Sequence, residues 1–240
     1  VCRLVLYCLA PHLGHAWVFL LLPRPGHAWF GTQNSPRLSD LGRQQSRWLG
    51  EYFAQRGLTF TRVYTGTLER QIDTASEILD TMGHGQIDVV RNDGFNEYHA
   101  EPIYRAHAGD VDPVEMQNSD YRKYWQTFRS AMVAWADGSI ADVPETWDAF
   151  GARMNKAIAT ASQGAERNDV ILVVSSGGAI SRALADVLGS SARASIEMNL
   201  QFRNTAFCEM IAGRDSLRML TFNSMPHLDR PDRRASITAA

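Results

Sequence analysis

Short apolar runs alternating with amphipathic stretches predict an α/β fold. They imply a mostly parallel sheet sandwiched by helices, with a helical insertion at about 101–145. Three observations carry this. Trp17–Leu22 is a continuous apolar run of strand length, as a strand buried on both faces requires. Asp169–Ser175 (DVILVVS) repeats that pattern and is the clearest buried strand in the chain. Between such runs, apolar residues recur at helical spacing.

Taken in order, Trp17–Leu22 leads into a loop from Pro23 to Pro36 rich in Pro, Gly, Asn and Ser. Ser39-Asp40 reads as a helix start, with Leu41, Gln45, Trp48, Leu49, Tyr52 and Phe53 on one face and Gly57 as the stop. Arg62–Thr65 is a short strand. Leu68, Ile72, Ala75, Ile78, Leu79 and Met82 make the next helix, ended by Gly83. A third strand is expected at Ile87–Val90, and Asn92–Tyr98 reads as a polar loop. Aromatic residues at 121, 124, 125, 128 and 135 have helical spacing, as part of the insertion, which either packs over the sheet or covers a pocket. Thr146 can cap a helix carrying Trp147, Phe150, Met154, Ile158 and Ala161. After Asp169–Ser175, Gly177-Gly178 leads into a helix from Ala179 to Leu188. Thr205–Ile211 and Leu217–Phe222 flank Gly213-Arg-Asp215 as an antiparallel hairpin. Gly-His-Ala-Trp occurs at 14–17 and again at 26–29, a repeat with no physical account.

Residues 17–228 therefore read as one domain, 1–16 as an extension of uncertain role, and 229–240 as a loose tail. A net charge of −2 gives no field for nucleic acid or an anionic membrane, so any anion site is local and built from a few arginines. The apolar stretches Leu4–Ala10 and Ala16–Leu22 are far shorter than the roughly 20 residues that span a bilayer. Cys2, Cys8 and Cys208 suit neither a disulfide framework nor a metal knuckle and read as thiols in a reducing, cytoplasmic setting. His84, His99, His107 and His227 lack metal-ligand spacing and read as structural or exposed.

In an open α/β sheet, sites sit in loops beyond the carboxyl ends of the strands. The loops after Leu22, Thr65 and Ser175 qualify, and with the 92–98 loop they hold Arg24, Arg70, Glu97 and Ser176-Gly177-Gly178. Two arginines converging there would grip a phosphate or carboxylate bidentately; apart, each would be a solvated surface group.

These segments resemble the histidine phosphatase (phosphoglycerate-mutase-like) superfamily. Pro23-Arg-Pro-Gly-His-Ala-Trp-Phe-Gly31 with Leu38-Ser-Asp-Leu-Gly-Arg-Gln-Gln45 is similar to its first motif, which begins Arg-His-Gly. Tyr64-Thr-Gly-Thr-Leu-Glu-Arg70 with Thr74 resembles its second, and Phe95-Asn-Glu97-Tyr98 its proton-donor loop. Trp147-x-x-Phe150-x-x-Arg153 is similar to its late helix, Val173–Gly178 to its Ser/Thr-His-Gly-Gly motif, and Asn223–Leu228 to a common family ending. The resemblance implies a phosphomonoester hydrolase that forms a phosphohistidine and needs no metal or organic cofactor. Arg24, Arg70, Ser176 and Gly177 would bind phosphate and Glu97 would protonate the leaving oxygen. The implied partner is a small phosphorylated substrate or phosphate; oligomeric state stays open.

Two positions depart from that pattern. Pro25 stands where the resemblance places the nucleophilic histidine, and Ser176 where it places a second histidine. Serine can still donate to a phosphate oxygen. Proline offers no nucleophile and no N–H. His27, two residues on, would point the same way in an extended loop and is the candidate stand-in, against the plain reading of an exposed loop histidine. Three readings follow: an active phosphohydrolase, a phosphate-binding pseudoenzyme, or a sequence in which Pro25 stands in error for histidine.

Overall fold

The computed structural model describes residues 18–25, 37–109, 111–213 and 216–239. Expectations for residues 1–16, Trp17, His27 and the hairpin apex Arg214-Asp215 lie outside the described residues.

A six-stranded sheet organises the molecule, in the order β3-β2-β4-β1-β5-β6. Its strands are β1 (Val18–Pro23), β2 (Arg62–Thr65), β3 (Val89–Arg91), β4 (Val170–Val174), β5 (Phe207–Ala212) and β6 (Leu217–Ser224). The first four run parallel, with β4 between β1 and β2. β5 pairs antiparallel with β1, and β6 antiparallel with β5, as the hairpin pattern requires. The third strand falls at Val89–Arg91 rather than Ile87–Val90. It is an edge strand with half-buried or exposed side chains, so its apolar pattern is too weak to fix its ends.

Helices cover both faces, and β4 shows why its sequence is apolar throughout. Ile171 and Val173 point into a core shared with α5 (Tyr121–Ala136), α6 (Trp147–Ser162) and α7 (Gly177–Leu188). Leu172 and Val174 point into the other, under α1 (Asp40–Gln55) and α2 (Glu69–Met82). Alternate side chains thus bury on opposite faces, which removes any polar alternation. Ser39 caps α1 by accepting from the Gly42 amide, and Thr146 caps α6 from Ala149. Gly83 ends α2 in the left-handed region, at φ 72°.

The insertion consists of α3 (Ala100–Ala108), α4 (Pro113–Ser119) and α5, an all-helical segment as expected. α7 begins at Gly177, two residues before the expected start at Ala179. A further helix, α8 (Ala192–Gln201), has no counterpart in the sequence reading. Its buried face is narrow, with only Ser195 and Ile196 fully covered, so the short stripe of Ala192, Ile196 and Leu200 announces it only weakly.

Residues 229–239, where a loose tail is expected, are hydrogen-bonded to the body of the fold. The buried Gln45 amide donates to the Ser236 carbonyl (2.7 Å) and to Thr238 Oγ1 (3.0 Å). Arg233 bonds Glu51 at 3.0 Å and lies over the Trp48 ring. Cys208 is buried in β5, where burial pushes its thiol up to about 12. No helix among the described residues is long and apolar enough to cross a membrane.

Candidate functional site

The loops beyond the carboxyl ends of β1, β2, β3 and β4 are knit together by backbone bonds. The Ser175 amide donates to the Pro23 carbonyl (3.3 Å), joining the loops after β1 and β4. Asn92 N–H donates to the Thr65 carbonyl (2.8 Å), joining those after β2 and β3. Asn96 then exchanges two 2.7 Å bonds with Thr67, its Oδ1 accepting from the amide and its Nδ2 donating to Oγ1.

Arg24 leaves the end of β1 with its amide bonded to the Ala206 carbonyl at 3.0 Å. Its half-buried guanidinium donates to the Phe202 carbonyl at the end of α8. Arg70, the second residue of α2, enters from the other side. Burial lowers the affinity of both guanidiniums for their protons. Arg24 falls to about 10, a shift that Glu97 opposes and that repulsion from Arg70 deepens. Arg70 is lowered for the same first reason and is likewise countered by Glu97. A guanidinium keeps its proton at neutral pH, so two cations lie with the Glu97 carboxyl among largely buried groups.

Glu97 faces the start of α7, where its Oε2 accepts from the Gly178 amide at 3.1 Å. Burial raises its pKa, while the Gly178 N–H, Arg70 and Arg24 pull it down. Its loop is held from below by Arg153, whose NH1 donates to the carbonyls of Asp93, Gly94 and Asn96 at 3.0–3.1 Å. Glu145 locks that guanidinium with two 2.8 Å bonds. Arg153 is thus the physical content of the α6 motif, a clamp that fixes where Glu97 points.

Gly178 is required by close approach, and Gly177 is closely packed. A Cβ on Gly178 would lie 2.4 Å from Glu97 Oε1 and 2.4 Å from the Tyr98 ring. One on Gly177 would lie 2.7 Å from Asn199 Oδ1 and 3.4 Å from Arg24 Cζ. Ser176 is buried at the N-cap of α7, and its hydroxyl accepts from Gln71 Nε2 at 2.9 Å rather than capping the helix. Pro25 is buried at the mouth of the β1 loop, its carbonyl accepting from the Thr205 amide at 3.4 Å.

The structure therefore brings Arg24, Arg70, Glu97, Ser176 and Gly177 close together beyond the strand ends, while His27 lies outside the described residues. Sequence reasoning missed three contributors. Asn199 donates to the Tyr98 hydroxyl (3.2 Å) and the Phe202 carbonyl receives Arg24, but both depend on the unread helix α8. Gln71 gave no signal beyond its place next to Arg70. Among the described residues, no group of His, Cys, Asp and Glu has the arrangement of a metal site.

Comparison with known proteins agrees with this fold. The family model for the histidine phosphatase superfamily (branch 1) matches residues 24–225. A 2,3-bisphosphoglycerate-dependent phosphoglycerate mutase of Methylorubrum extorquens is 36% identical over 62 residues, 26% of this chain and 29% of that protein. The corresponding enzyme of Parvibaculum lavamentivorans is 32% identical over a stretch of the same size, 30% of its length. These curated relatives are thus matched over less than a third of their length. Among solved structures, phosphoglycerate mutase from Bacillus anthracis superposes with a TM-score of 0.65 at 18% identity, covering 89% of this chain and 96% of its own. Alpha-ribazole phosphatase from Shigella flexneri gives 0.62 at 20% identity, over 86% and 96%. At such identities the likeness establishes the shared fold.

Proposed function

The chain belongs to the histidine phosphatase superfamily, and on that premise we propose that its crevice receives the phosphoryl group of a small phosphate monoester. The observation that carries this reading is the meeting of Arg24 and Arg70 beside Glu97. Two guanidiniums that repel each other in a half-dry crevice are relieved by an incoming dianion, which gives each a bidentate partner. Glu97, with its pKa raised by burial, is suited to hold a proton and pass it to the leaving oxygen. Binding of a dianion offsets the two arginines and raises that pKa further.

Turnover by the covalent route is impaired in this sequence. Pro25 stands at the start of the loop after β1, where it offers no nucleophile. The second reading, a phosphate-binding protein without turnover, is favoured by the same residue. Losing a covalent nucleophile removes many orders of magnitude in rate and leaves phosphate binding to the arginines.

Two measurements test these readings. Inorganic phosphate or vanadate is expected to raise the melting temperature, and Arg24→Ala with Arg70→Ala to abolish that rise. An unchanged rise in the double variant overturns the pocket. In a p-nitrophenyl phosphate assay, Pro25→His is expected to gain activity by orders of magnitude over the unmodified chain. Equal rates would show that the nucleophile lies elsewhere, with His27→Ala as the next variant to assay.

A further inference from the structure

Gln71 is completely buried, although no role in phosphate chemistry calls for a glutamine there. Its side chain is held by three contacts. Nε2 donates to the Phe95 carbonyl (2.9 Å) and to Ser176 Oγ (2.9 Å), and Oε1 accepts from the Leu68 amide at 3.4 Å. Phe95 O can only accept, so the nitrogen end of the amide must face it and both amide hydrogens are committed. Gly66 makes room for this arrangement, since a Cβ there would lie 1.9 Å from Gln71 Oε1. The loop after β2 is therefore shaped around the Gln71 amide.

The consequence falls on Ser176. Its oxygen receives a hydrogen bond from Gln71, so its one proton must be directed elsewhere. Phe95 O is no outlet, because the Ser175 hydroxyl (2.8 Å) and Gln71 already occupy its two acceptor positions. Among the described residues the Ser176 hydroxyl donates to no protein acceptor, Glu97 included, and Ser176 makes no side-chain cap to α7. The hydroxyl stands one residue before Gly177, against which the Arg24 guanidinium lies. We propose that Gln71 is a positioning residue that fixes the Ser176 hydroxyl as a hydrogen-bond donor to a bound phosphoryl oxygen. The pair supplies a neutral directed donor where the resemblance places an imidazole. This rests on the phosphate-binding reading above and adds a residue that acts through another.

The test measures vanadate affinity of the full chain and its Gln71→Met, Ser176→Ala, Ser176→Thr and doubly substituted Gln71→Met/Ser176→Ala forms, with unliganded melting temperatures alongside. Gln71→Met and Ser176→Ala are each expected to weaken vanadate binding roughly 10- to 150-fold, the range for one hydrogen bond to a charged group. Ser176→Thr keeps the hydroxyl and is expected to restore most of the affinity. The double variant is expected to bind no more weakly than Ser176→Ala, because Gln71 has then lost the group it orients. Additive losses would assign Gln71 to the fold alone and overturn the proposal. So would parental affinity in Ser176→Ala, which decides the matter even if Gln71→Met does not fold. In both cases vanadate binding that still depends on Arg24 and Arg70 leaves the pocket reading intact. Absence of binding in the parent chain sinks both.

Discussion

His227 and Thr205 form a buried pair on the far side of the Pro25 carbonyl. Thr205 is β-branched yet sits at φ 57°, a conformation that such residues adopt only under constraint. Its hydroxyl donates to the Asn204 carbonyl (2.7 Å), so at 2.9 Å from His227 Nε2 it must accept, and that ring nitrogen carries the hydrogen. Burial, reinforced by Arg233, drives the imidazole down to about 3 from its ordinary 6.5. The folded state therefore holds His227 neutral while the unfolded chain takes up a proton below pH 6.5. The stability contributed is full above pH 6.5 and is lost as pH falls toward 3, by up to about 1.4 kcal/mol per pH unit. Melting temperatures measured from pH 7.5 to 4.5 are expected to fall less steeply in His227→Gln than in the parent, and parallel curves would contradict the assignment. At this scale, Arg24, Arg70 and Glu97 were legible because each follows a recognisable strand. Gln71 was not, because nothing about an isolated glutamine announces which amide hydrogen it places where.

The insertion was legible as an element through its aromatic spacing, and the structure shows what the aromatics do. Trp135 in α5 is buried, with its ring 5.0 Å from Trp147 and 5.0 Å from Tyr98, and its indole N–H donates to the Glu145 carbonyl at 2.7 Å. One side chain thus joins the insertion, α6 and the residue after Glu97. Trp135→Ala is expected to cost about 3–5 kcal/mol, a drop of roughly 10 °C in melting temperature for a chain of this size. Tyr121 begins the same helix but is 63% exposed, and Tyr121→Ala is expected to stay within about 0.5 kcal/mol. Thermal melts of the two variants check the contrast, which a purely surface-packed insertion would not produce. α8 was illegible for the converse reason. Its apolar stripe, Ala192, Ile196 and Leu200 at four-residue spacing, is short and only partly buried, a weak signal even though the helix end receives Arg24.

At the scale of the whole molecule, the sheet order places β1 between β4 and β5, so the segment carrying Arg24 is held from both sides. One side is local to the crevice, through the Ser175–Pro23 bond. The other is set by distant chain, since Thr205 and Ala206 hold Pro25 and Arg24 while Asn204 is bonded through its amide (2.9 Å) and side chain (2.8 Å) to Thr238. Composition read the last residues as a tail because they are small and charged. Their bonding to Gln45, Glu51 and Asn204 depends on partners more than 30 positions away, which no local pattern encodes. Deleting residues 229–240 is therefore expected to act twice. It removes several partly buried hydrogen bonds, lowering the melting temperature by about 5–10 °C. It also frees Asn204, loosening the backbone that aims Arg24, so the vanadate-induced shift is expected to shrink while remaining dependent on Arg24 and Arg70. Thermal melts of the truncated chain with and without vanadate separate the two effects. A lowered melting temperature with an undiminished vanadate shift would mean that the crevice is set by β1 and β4 alone.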